Sequence, residues 1–262
     1  MAGRHSSPTP QGQNVSVTDT ILVTGGTGSL GRPLVDTLRA QGSTVRVLSR
    51  KAGDGRAVGD LRSGTGLDEA LAGIRTVIHC ATDGRTDVTA AKQLLAAAER
   101  AGVQHLVYIS IVGVDRHPLP YYRLKLQVEE LVEASSIDST ILRATQFHDL
   151  VHGVFRAQRW LPVLFTPACS FQPISTHDVA TRLAELALAA PAGRAADIGG
   201  PEVVTSADLA RQYLAGTGRR RRIVPLKLPG RSFAAYANGT HLAPDHRYGT
   251  GTFAEFLAGL NP

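Results

Sequence analysis

The stretch "TILVTGGTGSLGRPLVDTL", residues 20–38, constrains this chain more than any other part of it. A β-branched, apolar run at 20–24 reads as a strand, and an amphipathic run at 30–42 reads as a helix ending at Gly42. The turn between them carries glycines at 25, 26, 28 and 31. A tight turn, a close backbone approach to a ligand and close helix–strand packing each exclude a β-carbon, and the helix N-terminus offers unpaired N–H groups. At the head of a β-α-β unit this loop points to a cradle for a dinucleotide pyrophosphate, with Gly25, Thr27, Gly28, Ser29, Leu30 and Gly31 as its candidate contacts. A plain glycine-rich turn is the alternative reading.

The pattern that follows repeats this rhythm. Strands are expected at "TVRVLSR" (44–50), "IRTVIHCAT" (74–82), "HLVYIS" (105–110) and "STILRA" (139–144), and helices at 67–73, 87–102 and about 120–134. Alternation of this kind implies a doubly wound parallel sheet covered on both faces, the α/β Rossmann fold. The glycine-dense segment 52–66 reads as a loop-rich link, not as low complexity. Beyond 145 the alternation loosens, with helices at 177–190 and 206–216 and an extended "RIVPLKLP". Residues 18–150 are therefore expected to form the nucleotide-binding core, and 151–262 a small substrate-side lobe packed on the same domain. The polar opening, residues 1–17, reads as a disordered tail without the apolar stretch of a secretory signal.

Of the 262 residues, 43% are apolar and 19% charged, ordinary values for a globular α/β chain. Part of the net charge of +6 comes from "GRRRRI" at 218–223, a short basic run that reads as a solvated loop and not as a nucleic-acid footprint. Cys80 and Cys169 have no partner at metal-ligand or framework spacing, which suits a reducing compartment. With no run near the ~20 apolar residues of a membrane span, a cytoplasmic protein with no membrane or nucleic-acid partner is expected.

The end of the second strand bears on the choice of nucleotide. An NAD site places Asp or Glu there for the ribose 2′-OH, whereas this chain has Ser49, Arg50 and Lys51. Arg50 and Lys51 suit a 2′-phosphate, so NADPH is expected over NADH, with a solvated strand end as the alternative.

Taken together, "TGGTGSLGR", "GDL" (59–61), "VIHCAT", "YISIVGVD", "YYRLK", "ILRATQFHDL", "PISTHDVA", "IGGPE" and "GTGTFAEFLA" resemble the NmrA-like kind of atypical short-chain dehydrogenase/reductase, from about Thr20 to near the C-terminus. The resemblance implies that Asp60 and Leu61 flank the adenine and that Ala81 and Thr82 lie under the nicotinamide-side ribose. It further implies that Thr145 to Phe147 line the nicotinamide pocket and that the chain forms a homodimer. Members of the family include NADPH-dependent reductases of quinones and conjugated carbonyl compounds, and regulators that bind the nucleotide without turning it over.

Three residues carry the candidate chemistry. Spacing of four puts Tyr121 and Lys125 on one helical face, where the ammonium can bond nicotinamide ribose and act on the tyrosine; Ser110, ending the preceding strand, is the third member of the wider superfamily's Ser, Tyr and Lys pattern. Against these roles stand a packed aromatic at Tyr121, an ion pair of Lys125 with Glu129 and a simple turn serine at Ser110. Tyr122 is the less favoured donor. His148 and His152, four apart around Asp149, imitate a zinc helix but lack a third ligand, so no metal is expected. His148, Phe155 and Trp160 are candidate substrate contacts; with Phe147, Phe165 and Phe171 the aromatics suit an apolar substrate, although core packing is the commoner fate of such rings. The expected function is an NADPH-dependent oxidoreductase acting on a small apolar quinone, enone or ketone. The alternatives are a nucleotide-sensing regulator and an isomerase or epimerase using bound NADP without net turnover.

Overall fold

The computed structural model describes residues 20–227 and 229–260; the tail expected at 1–17 lies outside them. In chain order the elements are β1 (Ile21–Thr24), α1 (Gly31–Ala40), β2 (Val45–Ser49), β3 (Arg56–Val58), α2 (Leu67–Leu71), β4 (Thr76–His79) and α3 (Asp87–Ala101). There follow β5 (His105–Ile111), α4 (Pro120–Glu133), β6 (Asp138–Ala144), α5 (His148–Ala157), β7 (Val163–Pro167), β8 (Ser170–Phe171) and α6 (Thr176–Leu188). The chain closes with β9 (Gly193–Arg194), β10 (Val204–Thr205), α7 (Ser206–Gly216), β11 (Arg222–Leu226), α8 (Arg231–Ala237) and α9 (Phe253–Leu260).

Seven strands make one parallel sheet in the order β3-β2-β1-β4-β5-β6-β9. The alternation of the strands sorts its two faces: Ile21 and Val23 of β1 join α1 and α6 in one core, while Leu22 between them joins α2, α3 and α4 in the other. Burial on both faces explains why these strands read as continuous apolar runs. From β1 the chain winds outward through β2 and β3, then returns to β4 and winds the other way. The switch point, where a crevice opens at the carboxyl ends of the strands, therefore falls between β1 and β4.

Two expectations need correction. The link at 52–66 contains β3, a three-residue edge strand whose exposed ends leave no alternation to read. The boundary at 150 is not clean: α6 packs in the same core as α1, and β9 pairs with β6, so the chain returns to the sheet after residue 150. The substrate-side lobe is the remainder, with its own core of Val151, Phe155, Leu164, Leu209, Tyr213, Phe253 and Leu257. Among the described residues no helix is long and apolar enough to cross a membrane.

Candidate active site

The loop after β1 is shaped by what a side chain would collide with. Gly25 adopts φ +69°, and a β-carbon there would lie 2.8 Å from the backbone nitrogen of Ala81 on the loop after β4. A β-carbon on Gly31 would lie 2.1 Å from the Gly25 carbonyl oxygen, so α1 can start only where a glycine stands. The Gly28 N–H closes the turn on that carbonyl at 2.9 Å. The result is a cradle at the N-terminus of α1 opening into a cleft of ≈ 1740 Å³ along the carboxyl ends of the strands. Thr27, Ser29 and Leu30 line it, as do Arg50 and Lys51 at the end of β2 and Asp60 and Leu61 beyond β3. Arg32 and Arg62 add two cations that the sequence reading did not single out. A signal for Arg32 existed: a cation in a helix's first turn opposes the helix dipole and calls for an anionic neighbour. The glycine cradle and this cationic wall fit the pyrophosphate and a further phosphate of a dinucleotide.

Ala81 and Thr82 line the middle of the cleft on a turn held by Asp87 at the start of α3. The Asp87 carboxylate accepts the Thr82 hydroxyl at 2.5 Å and the N–H groups of Asp83 and Gly84 at 2.8 and 3.1 Å. Behind the turn, the Thr24 hydroxyl accepts the Ala81 N–H at 3.3 Å and lies 2.7 Å from His79 Nδ1. Burial, with the Lys125 charge adding, pushes His79 down to about 3, so this imidazole is neutral. Burial also raises Cys80 to about 12, which leaves it a thiol and not a nucleophile.

Lys125 is only 5% exposed, yet lines the cleft. Its ammonium donates to the Ile109 carbonyl at 2.9 Å and sits 4.6 Å from the centroid of the Tyr108 ring. Desolvation lowers it to about 8, against the opposing pull of Asp87 and Glu129. The ion pair with Glu129 weighed for this lysine is not made, because Glu129 is itself buried and binds Arg143 of β6 at 2.6 Å. That bond ties α4 to the sheet one turn beyond Lys125. Ser110 is no turn residue: its hydroxyl is buried within β5, lines the cleft and has no hydrogen-bond partner. Tyr121, 38% exposed at the rim, has its hydroxyl 3.3 Å from that of Thr82, and burial raises its pKa. Tyr122 points inward, stacked on His117 at 4.3 Å between ring centroids.

The far end of the cleft is apolar. Phe147, Leu150, Val154 and Phe155 line it together with Phe171 of β8 and Tyr236 of α8, while Thr145 and Gln146 supply polar atoms. The Thr145 hydroxyl donates to the Gln172 carbonyl, so it also fastens the wall; the Gln146 side-chain oxygen is buried with no partner. Two expected substrate contacts are elsewhere. The His148 ring is turned from the cleft and packs on Phe253 and Phe256 of α9, because α5 presents its first residue to the lobe core. Trp160 stands 83% exposed in the turn after α5, with the Arg159 guanidinium 5.1 Å from the ring centroid. His152 lies against Tyr213, and among the described residues no three His, Cys, Asp or Glu side chains gather as metal ligands. Leu150, Val154 and Tyr236 are cleft residues that the sequence does not single out; nothing local distinguishes "SFAAYANG" as part of a cleft wall.

Residues 25–189 match a family described as NAD(P)H-binding. The Photosystem II assembly factor Ycf39 of Cyanophora paradoxa is 28% identical over 234 residues, 79% of this chain and 72% of that protein. The (4-alkanoyl-5-oxo-2,5-dihydrofuran-3-yl)methyl phosphate reductase of Streptomyces griseus subsp. griseus is 28% identical over 225 residues, 79% of this chain and 77% of that one. Among solved structures, the NADPH-dependent quinone oxidoreductase QOR2 of Escherichia coli, complexed with NADPH, has a TM-score of 0.78 over 92% of this chain and 99% of its own; at 20% identity this shows a shared fold.

Proposed function

Since the chain belongs to the NAD(P)H-binding family that its residues 25–189 match, and resembles the NmrA-like atypical short-chain dehydrogenases/reductases, we propose that it is an NADPH-dependent reductase of a small apolar quinone, enone or ketone. The supporting observation is that the glycine cradle, the strand-end cations and the buried Lys125 ammonium share one cleft with an apolar wall. The reductase names of the Streptomyces and Escherichia coli proteins agree with this chemistry.

When bound, the nicotinamide supplies the hydride. The chain's own residues bind, orient and protonate. The N–H groups at the start of α1 hold the pyrophosphate, Asp60 and Leu61 flank the adenine, and Arg50 and Lys51 make charge-assisted bonds to the 2′-phosphate. The Lys125 ammonium donates one N–H to the Ile109 carbonyl and would have two more to offer the ribose hydroxyls of the nucleotide. The partnerless Ser110 hydroxyl donates to the substrate's carbonyl oxygen, where negative charge develops. For a ketone, Tyr121 at the rim donates the proton that the strongly basic alkoxide needs; the oxyanion of a reduced quinone is a far weaker base and can be protonated by water without a protein acid. Phe147 and Phe155 exclude water around the acceptor.

The name of the Cyanophora relative favours a second reading, a nucleotide-binding protein that assists assembly without turnover. Titration by nicotinamide fluorescence tests the cofactor assignment: NADPH is expected to bind at least about tenfold more tightly than NADH, one charge-assisted bond or more. Tighter binding of NADH would defeat it.

A further inference from the structure

Four of the large exposed apolar side chains, Leu150, Val154, Trp160 and Leu161, belong to α5 and the turn that follows it. Spacing of four stacks Leu150 over Val154 on one helical face, and both also line the mouth of the cleft. The ridge therefore continues the apolar wall of the site out onto the surface. Arginines surround it. Arg159 lies over the Trp160 ring, Arg219 donates to the Arg159 carbonyl at 3.0 Å, and Arg221 donates to the carbonyls of Gln158 and Leu161 at 2.7 and 3.2 Å. The parallel pairing of β7 with β11 keeps the basic run 219–222 alongside the ridge. Neither residues 150–165 nor residues 216–227 contain a carboxylate; the nearest in the chain, the exposed Asp149, borders the ridge at Leu150, at the end of α5 away from Trp160 and the arginines.

We propose that this face docks peripherally on an anionic lipid bilayer, with Trp160, Leu161, Leu150 and Val154 entering the interface and the exposed Arg156, Arg159, Arg219 and Arg220 meeting lipid phosphates, while the partly buried Arg221 braces the turn. An indole beside aliphatic side chains, ringed by cations with no acid among them, is the composition of an interfacial anchor. Beside the ridge, a groove of ≈ 550 Å³ lined by Arg156, Arg159 and Arg219 with Leu257 and Leu260 offers the same pairing of cation and hydrocarbon. A second copy of the chain fits worse, because a two-fold contact through this patch sets arginines against arginines. A nucleic acid would use the cations and Trp160, but would leave the aliphatic part of the ridge in water. The expectation of no membrane contact rested on the lack of a spanning segment, which does not bear on peripheral docking. Docking would bring the cleft mouth to a bilayer that dissolves apolar substrates; that consequence rests on the reductase reading, whereas the docking does not.

Trp160 is the only tryptophan in the chain, so its fluorescence reports on the ridge alone. The full chain is mixed with vesicles of phosphatidylcholine and phosphatidylglycerol at about 7:3, and separately with pure phosphatidylcholine. The expected result is a blue-shifted emission, quenched by brominated acyl chains, with the anionic vesicles and not with the neutral ones. Salt at about 1 M, which shortens the screening length to about 3 Å, should reverse it. Arg159→Glu combined with Arg220→Glu should weaken partitioning at least about tenfold, each lost cation counting for roughly fivefold. Unshifted emission with anionic vesicles overturns the proposal. So does a shift that needs only more protein, which marks self-association, or one produced by a single-stranded oligonucleotide but not by vesicles. NADPH plays no part in the measurement, so it stands whether or not the chain is a reductase.

Discussion

At the nucleotide end of the cleft the walls are backbone and strand ends drawn from residues 25–62, with Ala81 and Thr82 on the next strand's loop. Contacts there are set by where a β-carbon cannot fit, as at Gly25 and Gly31, and by cations fixed at the ends of secondary structure. At the substrate end the walls come from α5, β8, the start of α7 and α8, brought together by the lobe's own core. The first end is specified by local sterics and the second by tertiary assembly. Changes at the first should therefore abolish or switch nucleotide binding, while changes at the second should alter substrate preference and leave the nucleotide alone.

The largest effect is expected at Gly31. A valine there drives its side chain into the Gly25 carbonyl, so Gly31→Val should bind no measurable NADPH, read by nicotinamide fluorescence with circular dichroism as the check on folding. Lys125→Met joins the two ends of the cleft and should lower kcat/KM by about 10²–10³-fold, the range for removing one well-placed donor. The same change should stabilise the cofactor-free protein by up to about 3 kcal/mol, because a buried ammonium lowered from 10.5 to about 8 opposes folding at neutral pH. The sign follows from proton binding. Between pH 8 and 10.5 the unfolded chain holds this proton and the folded one has lost it, so wild-type stability should rise with pH across that window. Denaturant titrations should find the rise missing in the variant. As Lys125 loses its proton above about pH 8, kcat/KM of the wild type should fall.

Smaller effects separate the ends more finely. Arg50→Glu should weaken NADPH binding by about 10–100-fold, the worth of a charge-assisted hydrogen bond, and leave NADH binding no weaker than before. Tyr236→Leu should change KM for an apolar acceptor a few-fold with an unchanged NADPH dissociation constant. If Tyr236→Leu instead disturbed NADPH, the division between the two ends would fail. Tyr121→Phe should cost less than tenfold with a quinone and more with a ketone.

The same division explains what could be read from the sequence. The loop, the parallel alternation and the strand-end cations were legible because each is a short-range constraint: a glycine pattern, a period, a charge at a fixed offset. Lys125 was legible through its spacing from Tyr121, but its burial was not, since that depends on Tyr108 and Ile109 of β5 packing beneath it. His148 was misread because the helix periodicity of α5 does not say which face meets the cleft and which meets α9. Trp160 is neither the expected substrate contact nor a core ring, because the turn after α5 carries it out to solvent. Phe171 is legible as one of the aromatics after the last core strand, whereas Tyr236 has no sequence signal, its role arising only when α8 packs against β8.

Net consumption of NADPH tests the central claim most directly. The wild type, held at a concentration far below that of NADPH, is given a panel of apolar quinones, enones and ketones while nicotinamide absorbance is followed. The account predicts many molecules of NADPH oxidised per protein with at least one of these acceptors, and near-complete loss with Lys125→Met. NADPH that binds tightly but is never consumed would contradict it and leave a nucleotide-binding protein without turnover.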